Sequence, residues 1–389
     1  MYDVVISGAG PSGSQCAEVL AKAGFDVALL EKDITWRKPC GGGINHRVLD
    51  FYPGLRKLDL PKIQNLVMHS ADYHELEFKT KERSRGTVID RLDLDNFMRN
   101  QAVDTGAELF DKNLSFDFIT KNQKKVGIKT KSPSGIKEYY GKILVVADGM
   151  SSKLALKSGL RNKWKIEQIA NGKCAIMEGK HHLNEEFIYI YFRPYKGYGW
   201  IFPLDNKRFN IGVYTFAEDN LNFNLNEIYH EFLRNPNIKK YIPDLNYKIE
   251  WSGSYPFPVE GVLEKSLYND HLLLVGDTGG FVSPISGEGI QHACFSGKIA
   301  AETAIKALEA EDCSKEILKQ YKNHPKTKRL IKSLKLKRSI RKFLYANKGE
   351  DLNKIFHLTE EDPEFKTQVV DIFMSRSIPS KEFLSKLNS

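Results

Sequence analysis

The chain has 389 residues, of which 58 are Lys or Arg and 49 are Asp or Glu, so its formal net charge is +9. This length predicts two or three domains, and the charge favours acidic partners, anionic lipid or phosphate-bearing ligands. No apolar stretch approaches the roughly 20 residues of a membrane-spanning helix. The five cysteines are scattered without a CxxC pair, so we predict no metal site.

The position of the first strand bears on localisation. This strand begins at residue 3, so we expect no signal or transit peptide. An odd number of cysteines without such a leader fits a reducing cytoplasm. We therefore expect a cytoplasmic protein whose contact with a membrane, if it has one, is peripheral.

The first 31 residues have the pattern of a dinucleotide-binding unit. Residues 3–7 are an apolar run typical of a buried parallel strand, and the turn at residues 8–13 has GxGxxG spacing. Its glycines permit a tight turn and a close approach to a pyrophosphate, which the N-terminus of a helix at residues 16–22 can face. A second strand at residues 26–30 ends at Glu31, whose carboxylate can accept hydrogen bonds from a ribose.

Two later strands also end in acidic turns. Residues 142–147 lead to Asp148, and residues 272–275 lead to Asp277, after which a long helix begins near Gly289. An acid there can hold the hydroxyls of a ribityl chain, and free amides at the helix N-terminus can stabilise negative charge on a reduced flavin. Two distant sites for phosphate and sugar suit FAD better than NAD, so the sequence predicts a flavoprotein.

The spacing of the strands predicts an α/β protein. Strands of one parallel sheet fall near residues 3, 26, 143 and 272, whereas a second, antiparallel sheet interrupts them. We predict a discontinuous Rossmann-like FAD-binding domain, an antiparallel substrate-binding and catalytic domain, and a basic helical C-terminal extension. The predicted ranges are 1–62, 86–165 and 263–310 for the first, 63–85 and 166–262 for the second, and 311–389 for the third.

Several motifs together resemble one superfamily of flavoproteins. The GxGxxG turn and the acidic strand ends described above are similar to those of FAD-dependent hydroxylases and reductases. Within that superfamily, KPCGGG at residues 38–43 resembles the cysteine–glycine loop of the geranylgeranyl reductase family. YGWIFP at residues 198–203, followed by Gly212, resembles the YxWxFP motif of the same family. The resemblance covers residues 1–310 and implies a p-hydroxybenzoate-hydroxylase-like fold.

The resemblance also implies an activity. Members of the family saturate isoprenoid double bonds in archaeal membrane lipids or in the side chains of chlorophyll and quinones. The missing plastid leader favours the archaeal-type digeranylgeranylglycerophospholipid reductases. Reduced FAD is then the implied source of a hydride for one alkene carbon, while a proton reaches the other. The donor that reduces the FAD stays open between ferredoxin and a reduced nicotinamide.

Motif positions carried over from the family, together with the turn chemistry, predict the residues that contact FAD. These are Gly8, Gly10, Ser12, Gly13, Glu31, Cys40, Gly41, Gly43, Arg91, Ser115, Asp277, Gly289 and Ile290. Arg91 offers a planar fork for phosphate oxygens, and the alternative is a surface arginine that caps a helix. Ser115 rests only on its spacing after Arg91.

Cys40 is the predicted catalytic residue. It lies among glycines, so its thiol can come close to the flavin and either donate a proton or position the alkene. Its basic neighbours in the sequence are Arg37 and Lys38. The alternative is a small residue that merely packs.

Tyr198, Trp200 and Phe202 are the predicted substrate-binding residues. They alternate along a strand, so their side chains share one face and form an apolar wall for a long hydrocarbon. Aromatic faces also support positive charge that develops on an unactivated alkene in a site that excludes water. The alternative is an ordinary core face.

The C-terminal extension contains a strongly basic segment. Residues 319–342 include eleven Lys or Arg and no Asp or Glu, and apolar residues recur from Leu330 to Leu344 at roughly helical intervals. Such a helix can lie on anionic lipid or meet an acidic protein such as a ferredoxin. The alternative is a solvated helix packed on the body of the protein. No motif supports binding of nucleic acid.

Three other functions remain open from the sequence. A flavin monooxygenase or halogenase shares the FAD-binding pattern, although the WxWxIP-like motif of halogenases differs here at Tyr198 and Phe202. A carrier of isoprenoids that has lost its flavin is disfavoured by the intact glycines and acids. A reductase of a quinone side chain or of free geranylgeranyl diphosphate is the third.

Overall fold

The fold was obtained as a computed structural model. It describes residues 1–72, 74–79, 86–192, 197–218, 224–243, 247–262, 267–345, 350–373, 377 and 380–388. Two of the predicted domain boundaries fall at residues 85 and 263, which lie outside the described residues.

The described chain alternates strands and helices in its first third and ends in helices. The strands are β1 (Tyr2–Ser7), β2 (Val27–Leu30), β3 (Gly43–Ile44), β4 (Asn65–His69), β5 (Glu75–Lys79), β6 (Thr87–Val88), β7 (Glu108–Phe110), β8 (Leu114–Lys121), β9 (Lys124–Ser132), β10 (Gly135–Val146), β11 (Ile169–Glu178), β12 (Phe187–Phe192), β13 (Gly197–Pro203), β14 (Arg208–Phe216), β15 (Lys248–Pro258), β16 (Tyr268–Asn269) and β17 (Leu272–Leu274). The α-helices are α1 (Pro11–Lys22), α2 (His46–Phe51), α3 (Arg91–Asp104), α4 (Lys153–Lys157), α5 (Leu225–Leu233), α6 (Pro236–Lys239), α7 (Ile290–Glu309), α8 (Lys315–Leu318), α9 (Gln320–Asn323), α10 (Pro325–Leu344), α11 (Glu350–Glu361), α12 (Pro363–Phe373) and α13 (Lys381–Asn388).

A first sheet joins the strands predicted for the nucleotide-binding part. Its order is β16-β17-β10-β1-β2-β7, and β8 and β9 extend it from β10 as an antiparallel hairpin. The central pairs are parallel, and Ser7 lies level with both Leu30 and Val146, while Val146 lies level with Leu274. The carboxyl ends of four strands therefore meet at one edge, the usual place for a ligand in such a sheet.

The two faces of this sheet are covered differently. Val4 and Ile6 on one face belong to a buried cluster that includes side chains of α1 and α7. Val5 on the other face clusters with Phe118 and Ile128 of the β8–β9 hairpin. This alternation is why the apolar run at the N-terminus is continuous: both of its faces are buried.

A second sheet contains the aromatic motif. Its order is β15-β11-β14-β13-β12-β4-β5, and its pairs are antiparallel except for β12 with β4. Strand β4 thus pairs with β12, which lies more than 100 residues later in the chain, and β5 pairs with β4 at the edge of the sheet. The α/β fold class is confirmed, as are the parallel and antiparallel sheets, while the exact domain ranges stay a prediction.

The C-terminal helices cover one face of the second sheet. Side chains of α11 and α12, among them Phe356 and Phe373, share a buried cluster with Ile190 and Trp200 of the sheet. On α10, Leu334 and Ile340 are buried against the body of the protein. Within the described part of the chain, no helix combines the length and the apolar character needed to cross a bilayer.

Candidate active site

One cavity of about 460 Å³ lies at the carboxyl edge of the first sheet and extends to the second sheet. It is large enough for a bound organic ligand. Fifteen of the predicted site residues line it: Gly8, Gly10, Ser12, Glu31, Cys40, Gly41, Gly43, Arg91, Ser115, Tyr198, Trp200, Phe202, Asp277, Gly289 and Ile290. Gly13 is the predicted residue that does not.

The packing of the glycine-rich turn explains why Gly8 and Gly10 line the cavity and Gly13 does not. A Cβ atom on Gly13 would lie 1.8 Å from the Gly8 carbonyl oxygen, so this glycine packs inside the turn. Gly8 has φ +98°, and a Cβ there would meet the Ala147 oxygen at 2.5 Å. Gly10 differs, because nothing lies within 4 Å of a Cβ placed on it. The open space beside Gly10 and the uncapped N-terminus of α1 suit a pyrophosphate.

Two carboxylates lie beside this turn. Glu31 accepts hydrogen bonds of 2.8 Å from the amides of Ala9 and Lys32 while it lines the cavity. Asp148 also lines the cavity, and its buried Oδ1 has no hydrogen-bond partner among the described residues. Burial raises the pKa of Asp148 to about 6. An unsatisfied buried acceptor is costly unless a ligand hydroxyl or amide meets it, which fits a bound nucleotide.

Asp277 lines the cavity beside the N-terminus of α7, since a Cβ on Gly289 would lie 3.4 Å from its Oδ1. Lys38 Nζ donates a 2.7 Å hydrogen bond to Asp277 Oδ2. Burial opposes the charge of Lys38, but the nearby carboxylate outweighs it and raises the pKa of that lysine. Helix α7 begins after Gly289 without a side-chain cap, so its first amides are available to a ligand. Lys38 is not among the residues predicted from the sequence to contact FAD.

The loop of Cys40 is fixed from two sides. Its Sγ accepts a hydrogen bond from the Gly42 amide at 3.5 Å, and Gly42 has φ +77°. Its carbonyl oxygen accepts a 2.9 Å hydrogen bond from Asn210 Nδ2 and a longer one, 3.7 Å, from Cys174 Sγ. Asn210 Oδ1 in turn accepts from Trp200 Nε1 at 2.8 Å. The aromatic strand thus holds the cysteine loop.

Arg91 is buried beside the same thiol. Its guanidinium donates two hydrogen bonds to Asp95 Oδ1 and one, of 2.9 Å, to Asp95 Oδ2. It also interacts with the thiol of Cys40. Burial works against its charge, yet Asp95 and Cys40 raise the pKa of Arg91. Arg91 is 5% exposed, so the alternative of a surface arginine is wrong. Contact with a phosphate stays a prediction.

The aromatic residues form a wall of the cavity on the side of the second sheet. Tyr198, Trp200 and Phe202 lie on one face of β13, as predicted from their alternation. The Tyr198 hydroxyl donates a 2.6 Å hydrogen bond to the backbone carbonyl oxygen of Ser286, which leaves the tyrosine ring to face the cavity. A Cβ on Gly41 would lie 2.6 Å from the Phe202 ring, so the loop needs glycine to approach this wall.

The part of the cavity next to the aromatic wall forms an apolar chamber. Besides the three aromatic residues of β13, its lining includes Leu66, Ile188, Ile190, Tyr214 and Phe373. Phe373 belongs to α12, in a region whose sequence carried no recognisable motif. No group of three or more metal-ligating side chains occurs in the described ranges.

The residues present fit FAD. Amides and acids at the ends of β1, β2 and β17 match the phosphate, ribose and ribityl groups of one extended dinucleotide, and the apolar chamber belongs to the same cavity. Ser12, Gly10 and Glu31 would hold the adenosine half, while Asp277 and the amides that begin α7 would hold the flavin half.

Comparison with known proteins bears on this assignment. The family model of the FAD binding domain matches residues 1–330. Digeranylgeranylglycerophospholipid reductase 1 of Methanopyrus kandleri is 30% identical over 332 residues, which are 83% of this chain and 85% of that protein. Digeranylgeranylglycerophospholipid reductase 2 of Methanococcoides burtonii is 31% identical over 83% of this chain and 79% of its own length.

Solved structures agree on the fold. A geranylgeranyl bacteriochlorophyll reductase-like protein from Thermoplasma acidophilum superposes with a TM-score of 0.82 at 22% identity and covers 99% of this chain and 95% of its own. A flavin-dependent brominase gives 0.78 at 19% identity, with 96% and 93% covered. With the FAD-binding match and the sequence relatives, these findings show that the chain belongs to the geranylgeranyl reductase family of FAD-dependent oxidoreductases.

Proposed function

We propose that this protein saturates C=C double bonds of geranylgeranyl chains, and that its substrates are archaeal-type membrane glycerophospholipids. One observation carries the proposal: a single cavity is lined both by the glycine-rich turn with its acids and by the apolar wall of the second sheet, and Cys40 lines the same cavity. The names of the sequence relatives support the substrate class.

The chamber performs two tasks in such a reaction. Bound and reduced FAD would supply a hydride, which an isolated alkene accepts only as protonation of one carbon develops positive charge on the other, the carbon that takes the hydride. The rings of Tyr198, Trp200 and Phe202 stabilise that charge through their faces. Leu66 and Ile190 keep water away, so water does not add to the charged carbon.

Cys40 supplies the proton in this proposal. Its thiol gives H⁺ to the alkene carbon that does not take the hydride, and the electron pair stays on sulfur. Arg91 stabilises the thiolate left behind, since its guanidinium already interacts with that sulfur. Asp95 holds the guanidinium in place and balances its charge in the resting enzyme.

An oxygen-dependent reaction is the second candidate, because a brominase shares the fold. The side chains favour the reductase. The wall that the second sheet contributes to the chamber is aromatic and aliphatic. The ammonium group of Lys38 is already paired with the carboxylate of Asp277.

A membrane-bound substrate calls for access to lipid. Helix α10 packs Leu334 and Ile340 on the protein, and its outward side is cationic, with Lys328, Lys332 and Lys335 exposed. We infer that this face meets anionic lipid by charge alone rather than by insertion of an apolar side.

The deciding experiment is anaerobic incubation of dithionite-reduced protein with a digeranylgeranyl glycerophospholipid, followed by mass spectrometry. Each saturated bond adds two hydrogens, so we expect a ladder of about two mass units per step. Cys40→Ser should bind FAD yet give a much slower ladder, whereas Cys313→Ser, a matched change outside the cavity, should match wild type. A yellow protein that gives no ladder but consumes oxygen with a reductant would favour the monooxygenase.

A further inference from the structure

A second apolar cavity lies behind the substrate chamber. Its volume is about 60 Å³, and it lies between the second sheet and helices α10–α13. Apart from Thr359 and Tyr345 its lining consists of aliphatic and aromatic side chains and the thioether of Met68. Both hydroxyls are occupied, since Thr359 donates to the Phe356 oxygen at 2.7 Å and Tyr345 donates to the Gly197 oxygen at 3.3 Å. Such a space attracts hydrocarbon rather than water.

Phe373 stands between the two spaces. Its side chain lines both the large cavity and the smaller one. On the chamber side its ring centroid lies 5.5 Å from that of Tyr198, at an interplanar angle of 58°. On the other side it meets Phe192 edge-on at 6.0 Å, and Phe192 meets Phe356 in the same manner. A rotation of one ring would therefore connect the two spaces.

The substrate gives a reason for such a connection. The large cavity must hold the FAD as well as the chain, so less than 460 Å³ remains for hydrocarbon. A lipid chain that fills one leaflet of a bilayer is about 15 Å long. An apolar space that begins where the chamber ends extends the path without exposing the chain to water.

We propose that Phe373 is a gate, and that the cavity behind it receives the distal end of a long isoprenoid chain. Short chains stay in the chamber and do not use the cavity, so the gate and the cavity determine the preference for chain length. This inference rests on the proposed function, because it names where the rest of that substrate lies.

Two substitutions test the proposal from opposite directions. Phe373→Ala joins the two spaces permanently. Val369→Phe fills the inner cavity from the same helix and leaves the chamber unchanged. Phe365→Ala is the matched control, since Phe365 is a buried ring on α12 that stacks on Phe383 and lines neither space.

The readout is calorimetric binding of geranyl and geranylgeranyl monophosphate to the oxidised, FAD-loaded protein. Phe373→Ala should bind the twenty-carbon probe about ten-fold more tightly, the effect of burying about two more CH₂ groups without the cost of opening the gate. Val369→Phe should weaken it about ten-fold. Val369→Phe should not alter the dissociation constant of the ten-carbon probe, and Phe373→Ala should not tighten it.

Other results would overturn the gate. Val369→Phe with unchanged affinity for the longer probe means that the chain does not enter the cavity. Phe373→Ala that weakens both probes alike means that Phe373 is only a wall, whereas Phe365→Ala should change neither affinity. Should Val369→Phe fail to fold, Leu76→Phe fills the same cavity from the sheet. Because the oxidised protein cannot turn over, this result is independent of whether the reductase activity itself is found.

Discussion

Asn210 Nδ2 donates a 2.9 Å hydrogen bond to the carbonyl oxygen of Cys40, across 170 residues of sequence. The same amide accepts a hydrogen bond from Trp200. The aromatic motif and the cysteine loop are therefore one unit, although they lie in different parts of the chain. The tryptophan lines the chamber and, through Asn210, sets the position of the loop that carries the thiol.

Replacing Asn210 should impair reduction without loss of FAD. In Asn210→Leu, both Trp200 Nε1 and the Cys40 oxygen lose a partner, and each unsatisfied buried group costs about 1–3 kcal/mol. We expect kcat/KM to fall about ten- to a hundred-fold, with the flavin absorbance retained. Cys174→Ala removes only the 3.7 Å contact to the same oxygen and should cost much less. Equal rates for Asn210→Leu and wild type would mean that the aromatic motif does not position the cysteine loop through Asn210.

The pair of Arg91 and Asp95 should control the reactivity of Cys40. In Asp95→Asn the guanidinium is no longer neutralised, so it stabilises the thiolate more strongly. We expect iodoacetamide to label Cys40 about three-fold faster or more at pH 7, and Arg91→Gln to slow the labelling. Cys313, which is partly exposed and remote from the cavity, serves as the internal control in the same mass spectrum. Identical labelling in all three proteins would remove Arg91 from the proposed mechanism.

Local patterns were enough to predict the cofactor cradle. The apolar strand, the GxGxxG turn and Glu31 lie within 31 residues, so their spacing alone fixes their arrangement. The same holds for the wall of β13, because alternation on a strand dictates that Tyr198 and Trp200 share a face.

The residues that were missed act over long sequence distances. Asn210 reaches Cys40, Lys38 reaches Asp277 across 239 residues, and Phe373 reaches the chamber from the last helices. Asn210 and Phe373 lie in no motif that would single them out, and Lys38 precedes the glycines of the cysteine loop without any local sign of its distant partner. Gly212 gives a partial sequence signal for Asn210, which lies two residues before it on β14. A Cβ atom on Gly212 would lie 2.3 Å from the Trp200 ring, so the indole must pass over this part of the strand.

The open space beside Gly10 predicts a selective defect. Because no atom lies within 4 Å of a Cβ placed there, Gly10→Ala should leave the melting temperature of the apoprotein unchanged. The added methyl group points into the cavity, so we expect FAD affinity to fall about ten-fold or more. Gly13→Ala is the contrast, since its Cβ would collide with the Gly8 oxygen and should destabilise the apoprotein as well. FAD binding to Gly10→Ala at the wild-type level would place the pyrophosphate elsewhere.

Reversing charge on the outer side of α10 should abolish binding to anionic vesicles. The triple variant of Lys328, Lys332 and Lys335 to Glu should lower the partition coefficient about ten-fold or more, since each basic residue near such a surface contributes about 1 kcal/mol. An equal charge change at exposed lysines of the β8–β10 region, Lys121, Lys124 and Lys137, is the control. Co-sedimentation with neutral and anionic liposomes at two salt concentrations makes the comparison. Equal loss in both triple variants would mean a response to net charge rather than to this face.

Lys337 makes the stability of the fold dependent on pH in the alkaline range. It is 1% exposed on the inner side of α10. Burial lowers the pKa of Lys337 from 10.5 to about 8, against the pull of Glu288 and with help from Arg47. Between those two values the unfolded chain holds a proton that the folded protein has released, so the free energy of unfolding rises with pH across this window.

Lys337→Met should therefore stabilise the protein at pH 7, where the buried ammonium is still charged in the folded state. The gap between the two pKa values corresponds to about 3 kcal/mol, which is the upper limit of the gain. The advantage should shrink as pH rises through 8 and vanish near 10.5. Lys335→Met, two residues away on the exposed side, should change stability little at any pH. Urea unfolding at pH 7, 8.5 and 10 measures the difference, and an advantage that stays constant with pH would mean that packing of the methionine, rather than the charge of Lys337, is responsible.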